Sequence, residues 1–168
     1  MPDSFHARKS AVSKEYRYRL LPGGIPSPLD TPFAVRVPPD IDLGAMQQAT
    51  LLLVGRYDFT AFALAGGGHG QPFRRVLKAE WKRLGEALEL HIVGDGFLRG
   101  MVRSIVGTLL EVGRARISCG EFEALLRGRP RREAGPTAPA HGLVLQTVHY
   151  GEEWGIDESS SGAGVVLD

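Results

Sequence analysis

Cysteine occurs once in the 168 residues, at Cys119. A single thiol excludes an internal disulfide framework and a cysteine-based zinc site, and it fits a reducing cytoplasm. The start, Met1 to Ser10, carries Arg8 and Lys9 but no apolar stretch, so it does not read as a secretory signal. No apolar run is long enough for a membrane span. The longest, Phe97 to Val112, is broken by Arg99, Arg103 and Glu111. The glycine-rich string A-G-G-G-H-G (65–70) lacks the Gly-Lys-Ser/Thr of a phosphate-cradling loop, which rejects a nucleotide triphosphate site. The histidines show no metal-ligand spacing, so no metal site is expected among them. Internal repeats are absent too.

Lysine is scarce beside arginine: sixteen of the twenty basic residues are Arg. The net charge of +1 hides an asymmetry, because residues 151–168 hold five acids and no base. Residues 1–150 therefore carry 20 basic and 14 acidic side chains, a net of +6. The bases concentrate at Arg8–Arg19 and again at Arg114–Arg132. A planar, multi-donor guanidinium suits phosphate, so nucleic-acid binding and a merely solvated surface stand as equal readings of the charge.

The pattern predicts an α+β fold, a mostly antiparallel sheet with helices packed on one face. Lys14–Leu21 alternates Tyr16, Tyr18 and Leu20 with charges, as a half-buried strand does. Pro22–Pro32 reads as a loop and Phe33–Val37 as a short strand. Asp40 or Asp42 can cap a helix running to about Val54, with Gly55 as its stop. Phe73–Leu84 and Ala87–Val93 pair as a hairpin about Gly85-Glu86. A helix from Phe97 to about Val112, a shorter one over Cys119–Leu126 and a strand at Leu143–Tyr150 complete a single domain over 1–150. The acidic tail, 151–168, is expected to be disordered.

The helix predicted from Phe97 is the most informative segment. Its apolar residues cover roughly 220° of the circumference, more than a surface helix needs, so it should be enclosed. The remaining arc holds Arg103, Glu111 and the small residues Gly100, Ser104 and Gly107, where another segment or a ligand can approach the backbone. Arg103 stands at the edge of that arc, with Arg99 one turn before it. An enclosed arginine needs a carboxylate, a carbonyl or a phosphate, and Asp95 and Glu111 are the nearby acids that could pair with it.

The string F-L-R-G-M-V-R-S-I-V-G-T-L-L-E-V-G-R (97–114) resembles the signature helix of tRNA pseudouridine synthases of the TruA type. D-S-F-H-A-R (3–8) with S-K-E-Y-R-Y (13–18), D-F-T-A-F (58–62), P-F-R-R-V (72–76) and T-A-P-A-H-G-L-V-L (137–145) match in the same order. The resemblance covers Pro2 to Tyr150 and is to the C-terminal half of that family only. The family's catalytic aspartate lies in an R-T-D-A-G-V-H motif of the N-terminal half, and this sequence holds no such string. A half-enzyme, inactive until the aspartate-bearing half is supplied, is the expectation; a non-catalytic RNA-binding module is the alternative.

The resemblance implies isomerisation of uridine to pseudouridine in the tRNA anticodon stem-loop, in the cytoplasm and without cofactor. It implies that Arg103 holds the aspartate ionised. It implies that Tyr16 stacks on the extruded uracil and assists removal of the C5 proton, and that Leu143 lines the base pocket. His6, Arg8, Lys14, Arg17, Arg74 and Arg99 are the residues expected on RNA. Tyr18 reads as strand core. The partners implied are tRNA and either a second copy of the chain or a separate N-terminal half. Gly100 and His141 depart from the family pattern, as does the glycine richness of 65–70. If half of a fold is missing, an uncovered sheet edge and exposed apolar residues should follow.

Overall fold

The computed structural model describes residues 11–23, 33–68, 70–151 and 165–166. Among these residues seven strands form one sheet: β1 (Ala11–Pro22), β2 (Val35–Val37), β3 (Gly55–Asp58), β4 (Phe73–Leu84), β5 (Ala87–Gly94), β6 (Leu143–Tyr150) and β7 (Val165–Val166). Their order is β3-β4-β5-β1-β6-β7. Every pairing is antiparallel except that of β2, which runs parallel to the last three residues of β1. The described residues also form three α-helices: α1 (Leu43–Leu51), α2 (Met101–Gly113) and α3 (Cys119–Leu125).

Strand parity builds the core. Tyr16, Tyr18 and Leu20 of β1 stand opposite Ile92, Leu90 and Leu88 of β5, and Ala79 and Trp81 of β4 continue the rows. Tyr18, Leu20, Leu90 and Ile92 lose all exposure against Met46 of α1, Ile105 and Leu109 of α2 and Phe122 of α3. The α+β reading with helices on one face is borne out. Burying each such side chain is worth roughly 1.5–3 kcal/mol of transfer free energy. Trp81 adds a polar tie, its indole N–H donating to Thr50 Oγ1 of α1 at 2.9 Å.

Besides a slip at Ala11/Ser13 near the start of β1, two register irregularities were invisible in the sequence. Val76 pairs with Gly94 and Lys78 with Val93, so Leu77 is a bulge that lets Val76 and Ala79 both face the helices. A second slip lies at Glu15/Tyr16, where β6 advances from Thr147 to Leu145. Bulges re-aim neighbouring side chains, and this one sits at Tyr16. The four-residue strand β3 was not expected; it pairs with the start of β4 through Tyr57↔Arg74 and its neighbours. Beyond Val76, β4 is a free edge among the described residues. Leu77 and Leu84 are about half exposed there, and Lys78 and Lys82 blunt the edge.

Helix boundaries correct the sequence reading twice. Asp42 does cap α1, accepting from Ala45 N at 3.0 Å, but the helix ends at Leu51, short of Val54. The signature helix starts at Met101, not Phe97, because Gly100 takes φ 67, a left-handed conformation that stops the helix there. Arg99 therefore lies in the preceding loop rather than one turn before Arg103. In the tail, Val165–Val166 pair with Val144 and Leu145 of β6, order that the composition of 151–168 did not suggest. Two consecutive β-branched residues suit an open strand edge.

Candidate active site

Enclosure of α2 is nearly complete. Eleven of its residues are buried, and the two that are not are Arg103 and Glu111. The small arc receives another segment: residues 135–138 cross the helix at Gly107, where a Cβ would overlap the carbonyl of Pro136. Gly135 lies over the Thr108 backbone in the same crossing, and its N–H donates to Thr108 Oγ1 at 3.0 Å. At the far end of the segment, Ala138 N donates to Arg103 O at 3.0 Å.

That crossing decides what holds Arg103. Its Nε donates to the Ala138 carbonyl at 2.9 Å. Neither expected acid is its partner. Asp95 accepts from Arg75 N at 2.9 Å, and Glu111 pairs with Arg114 at 2.9 Å and Arg116 at 3.4 Å. Among the described residues no carboxylate stands within ion-pair reach of Arg103. One nitrogen is thus fixed by a neutral carbonyl, and the terminal nitrogens stay available to an anion.

Arg103 lines a groove of about 800 Å³ together with Tyr16, Leu143 and Phe97, the loop 66–68 and the basic residues Lys14, Arg74 and Arg99. The sole acid among the described lining residues is Asp95, so the groove is positive. Tyr16 is half-buried, and its ring meets the edge of Phe97 at 5.0 Å between centroids and 82° between planes. The neighbouring ring therefore fixes the orientation of the Tyr16 face.

Tyr18, one step further along the same face, behaves differently. It is fully buried and its hydroxyl donates to Pro139 O at 2.6 Å. Burial pushes its pKa well above the ordinary tyrosine value, and the nearby Arg103 charge offsets part of that rise. The expectation that Tyr18 is core agrees with this placement.

Lys14, Tyr16, Arg74, Arg99, Arg103 and Leu143 all come together at the groove. Arg99 donates to Ala65 O at 3.1 Å and its carbonyl accepts from Leu64 N at 2.9 Å, which docks the glycine loop onto the start of α2. The Leu64 side chain packs into the space that a Cβ at Gly100 would fill. Arg74 donates to Gln71 O and Phe73 O at 2.9 and 2.6 Å. Arg17 points to the opposite face of the sheet, where it pairs with Glu89 at 3.3 Å. His6 and Arg8 lie outside the described residues. Phe97 was missed as a site residue, because in a sequence it reads as one more apolar residue of the helix.

The D-F-T-A-F segment is a structural turn. Asp58 accepts from Thr60 N at 3.0 Å and Thr60 Oγ1 at 2.6 Å, while Phe59, Phe62 and Phe122 pack together in the core. The Arg114–Arg132 cluster is largely neutralised by Glu111, Glu123 and Glu133. Among the described residues no group of His, Cys, Asp or Glu could hold a metal ion, and no helix is long and apolar enough to cross a membrane.

A family model for tRNA pseudouridine synthase matches residues 49–151. The chain belongs to the tRNA pseudouridine synthase family. It is 44% identical over 148 residues to tRNA pseudouridine synthase A of Bacillus licheniformis, covering 88% of this chain and 60% of the relative. The corresponding enzyme of Syntrophotalea carbinolica is 46% identical over 150 residues, covering 89% and 60%. For tRNA pseudouridine synthase A 1 of Desulfotalea psychrophila the identity is 43% over 158 residues, covering 89% and 62%. The chain therefore spans about 60% of the length of these relatives. The resemblance read from the sequence holds.

Proposed function

We propose that this chain supplies the arginine and tyrosine side of a pseudouridine synthase site, acting on uridine in the anticodon stem-loop of tRNA in the cytoplasm. The observation that carries the reading is Arg103, fixed through Nε to the Ala138 carbonyl with its terminal nitrogens unclaimed by any described carboxylate beside Tyr16 and Leu143. A guanidinium so placed lowers the pKa of an approaching aspartate and keeps it ionised for attack. The half-buried ring of Tyr16 offers an extruded uracil a stacking surface, and its phenol can relay the C5 proton. Lys14, Arg74 and Arg99 give the groove the charge that a phosphate backbone requires. The reaction moves the glycosidic bond from N1 to C5 of one base and needs no redox change.

The nucleophilic aspartate is assigned to an R-T-D-A-G-V-H segment, supplied by an N-terminal half or a second copy of the enzyme. The test compares the chain alone with the chain joined to the N-terminal segment of the Bacillus licheniformis relative, reading proton release from C5 of uridine in tRNA. The expected result is turnover only in the joined form. Full turnover by a joined Arg103→Ala variant overturns the assignment. Tight tRNA binding by a joined form that never turns over favours the non-catalytic RNA-binding reading.

A further inference from the structure

Segment 135–139 is tied down at both ends, and the two ends do different things. At its C-terminal end the carbonyls of Ala138 and Pro139 hold Arg103 Nε at 2.9 Å and the Tyr18 hydroxyl at 2.6 Å. Its N-terminal end is gripped by Arg131, whose guanidinium donates to Gly135 O at 2.8 Å and Thr137 Oγ1 at 2.9 Å. Thr108 locks the same end to α2: its hydroxyl donates to Ser104 O at 2.7 Å and accepts from Gly135 N at 3.0 Å. Gly107 lets the two backbones touch.

Arg131 is set apart from its arginine neighbours. Arg129 makes a surface pair with Glu133 at 2.7 Å and is 55% exposed. Arg131 has no acidic partner among the described residues; its two outer nitrogens are spent on the segment and its Nε is buried without a partner. Partly burying a guanidinium to grip a backbone carbonyl and a threonine costs desolvation. What it secures is the path of five residues that ends at the carbonyl orienting Arg103.

We infer that Arg131 is a positioning residue for Arg103: it fixes segment 135–139 so that the Ala138 carbonyl aims the guanidinium into the groove. The inference rests on the reading of Arg103 as the partner of the attacking carboxylate. Arg131 touches no reacting atom, so its removal should lower turnover while leaving tRNA affinity unchanged.

The experiment follows the Nε–H resonance of Arg103 in the whole 168-residue chain, assigned by its disappearance in Arg103→Lys. In the unaltered chain this proton should exchange slowly. In Arg131→Gln it should exchange about tenfold faster, the population effect of losing one well-formed hydrogen bond. Arg131→Lys keeps one donor for Gly135 O and should fall between them, whereas Arg129→Gln should match the unaltered chain. Fast exchange in the unaltered chain overturns the inference, and so does unaltered exchange in a folded Arg131→Gln or Arg131→Lys variant. Should the glutamine variant fail to fold, the lysine variant and the unaltered chain still decide.

In the form joined to the aspartate-bearing segment, Arg131→Gln should lower kcat with KM for tRNA held. If the Nε–H behaves as expected but joined Arg103→Lys keeps full turnover, the positioning stands and the functional reading falls.

Discussion

The sheet around β1 meets two kinds of charge chemistry on its two faces. On the face turned from the helices, Glu89 is 1% exposed and is met by Arg17 at 3.3 Å, Arg19 at 2.7 Å and His91 at 3.3 Å. His91 closes the network onto Glu15 at 3.1 Å. There the buried acid is surrounded by two arginines and a histidine of its own chain. On the groove face, Arg103 has a carbonyl in place of an acid, and its outer nitrogens are unclaimed among the described residues. A saturated network stiffens a sheet, while a guanidinium left half-satisfied beside an aromatic ring is equipped to meet something that arrives. Both regions hold arginine, and the proposed division into a structural and a reactive role rests on the difference in partner.

The largest effect should come from closing the space that the groove side depends on. Gly107→Ala puts a methyl group into the Pro136 carbonyl. Neither backbone can retreat cheaply, so a loss of about 4 kcal/mol or displacement of the whole segment is expected in urea unfolding. Next comes Arg103→Ala in the joined enzyme, where turnover should fall about 10²–10³-fold, as when one preorganised electrostatic group is removed. The melting temperature should barely move, since only one hydrogen bond is lost. Glu89→Gln should reverse the pattern. It strands two arginines and His91 and should cost about 2–3 kcal/mol, below the usual range for a broken buried pair because the arginines are about a quarter exposed. Its effect on turnover should be slight. Equal effects of Arg103→Ala and Glu89→Gln on both readouts would erase the distinction between the two faces.

A smaller effect follows pH. Burial raises the Tyr18 pKa in the folded chain above its unfolded value of about 10. The folded state then keeps a proton that the unfolded state releases. The stabilisation is complete below about pH 10 and is lost as pH rises toward the folded value. Tyr18→Phe should remove this alkaline loss and cost about 1 kcal/mol at neutral pH, where the bond to Pro139 O disappears. Urea unfolding of both chains across pH 8–11 reads the difference; an unchanged alkaline slope would reassign it elsewhere.

Much of the groove side could be read from side-chain pattern alone. The wide apolar arc and small residues of α2 foretold both its enclosure and the backbone that crosses it at Gly107. Asp42 announced its helix, and Gly85-Glu86 its hairpin. What escaped was set by backbone conformation or by distant pairing. The left-handed turn at Gly100 moved the start of α2 past Arg99, because apolar periodicity continues through a residue whose φ does not. Bulges at Leu77 and beside Tyr16 have no composition of their own. The capping box of α3, Ser118 with Glu121, was legible as S-x-x-E and passed unread. On the open face, alternating charges gave no hint that Glu89 would be buried, since that depends on which strands flank β5.

The smallest effects should separate two sets of arginines that look alike in the sequence. Arg127 pairs with Glu123 at 3.7 Å, both side chains more than half exposed. Arg127→Ala should change stability by less than about 0.5 kcal/mol, since an exposed pair gains little against water and side-chain entropy. It should also leave the salt dependence of tRNA binding unchanged, its charge being already compensated. Lys14 lines the groove without an acidic partner among the described residues. Lys14→Ala should weaken tRNA binding uniformly and reduce the slope of log K against log salt by about one. Filter binding of tRNA across salt concentrations for the two variants makes the measurement. A reduced slope for Arg127→Ala and none for Lys14→Ala would place the RNA on the helix side of the molecule and leave the groove without its polyanion.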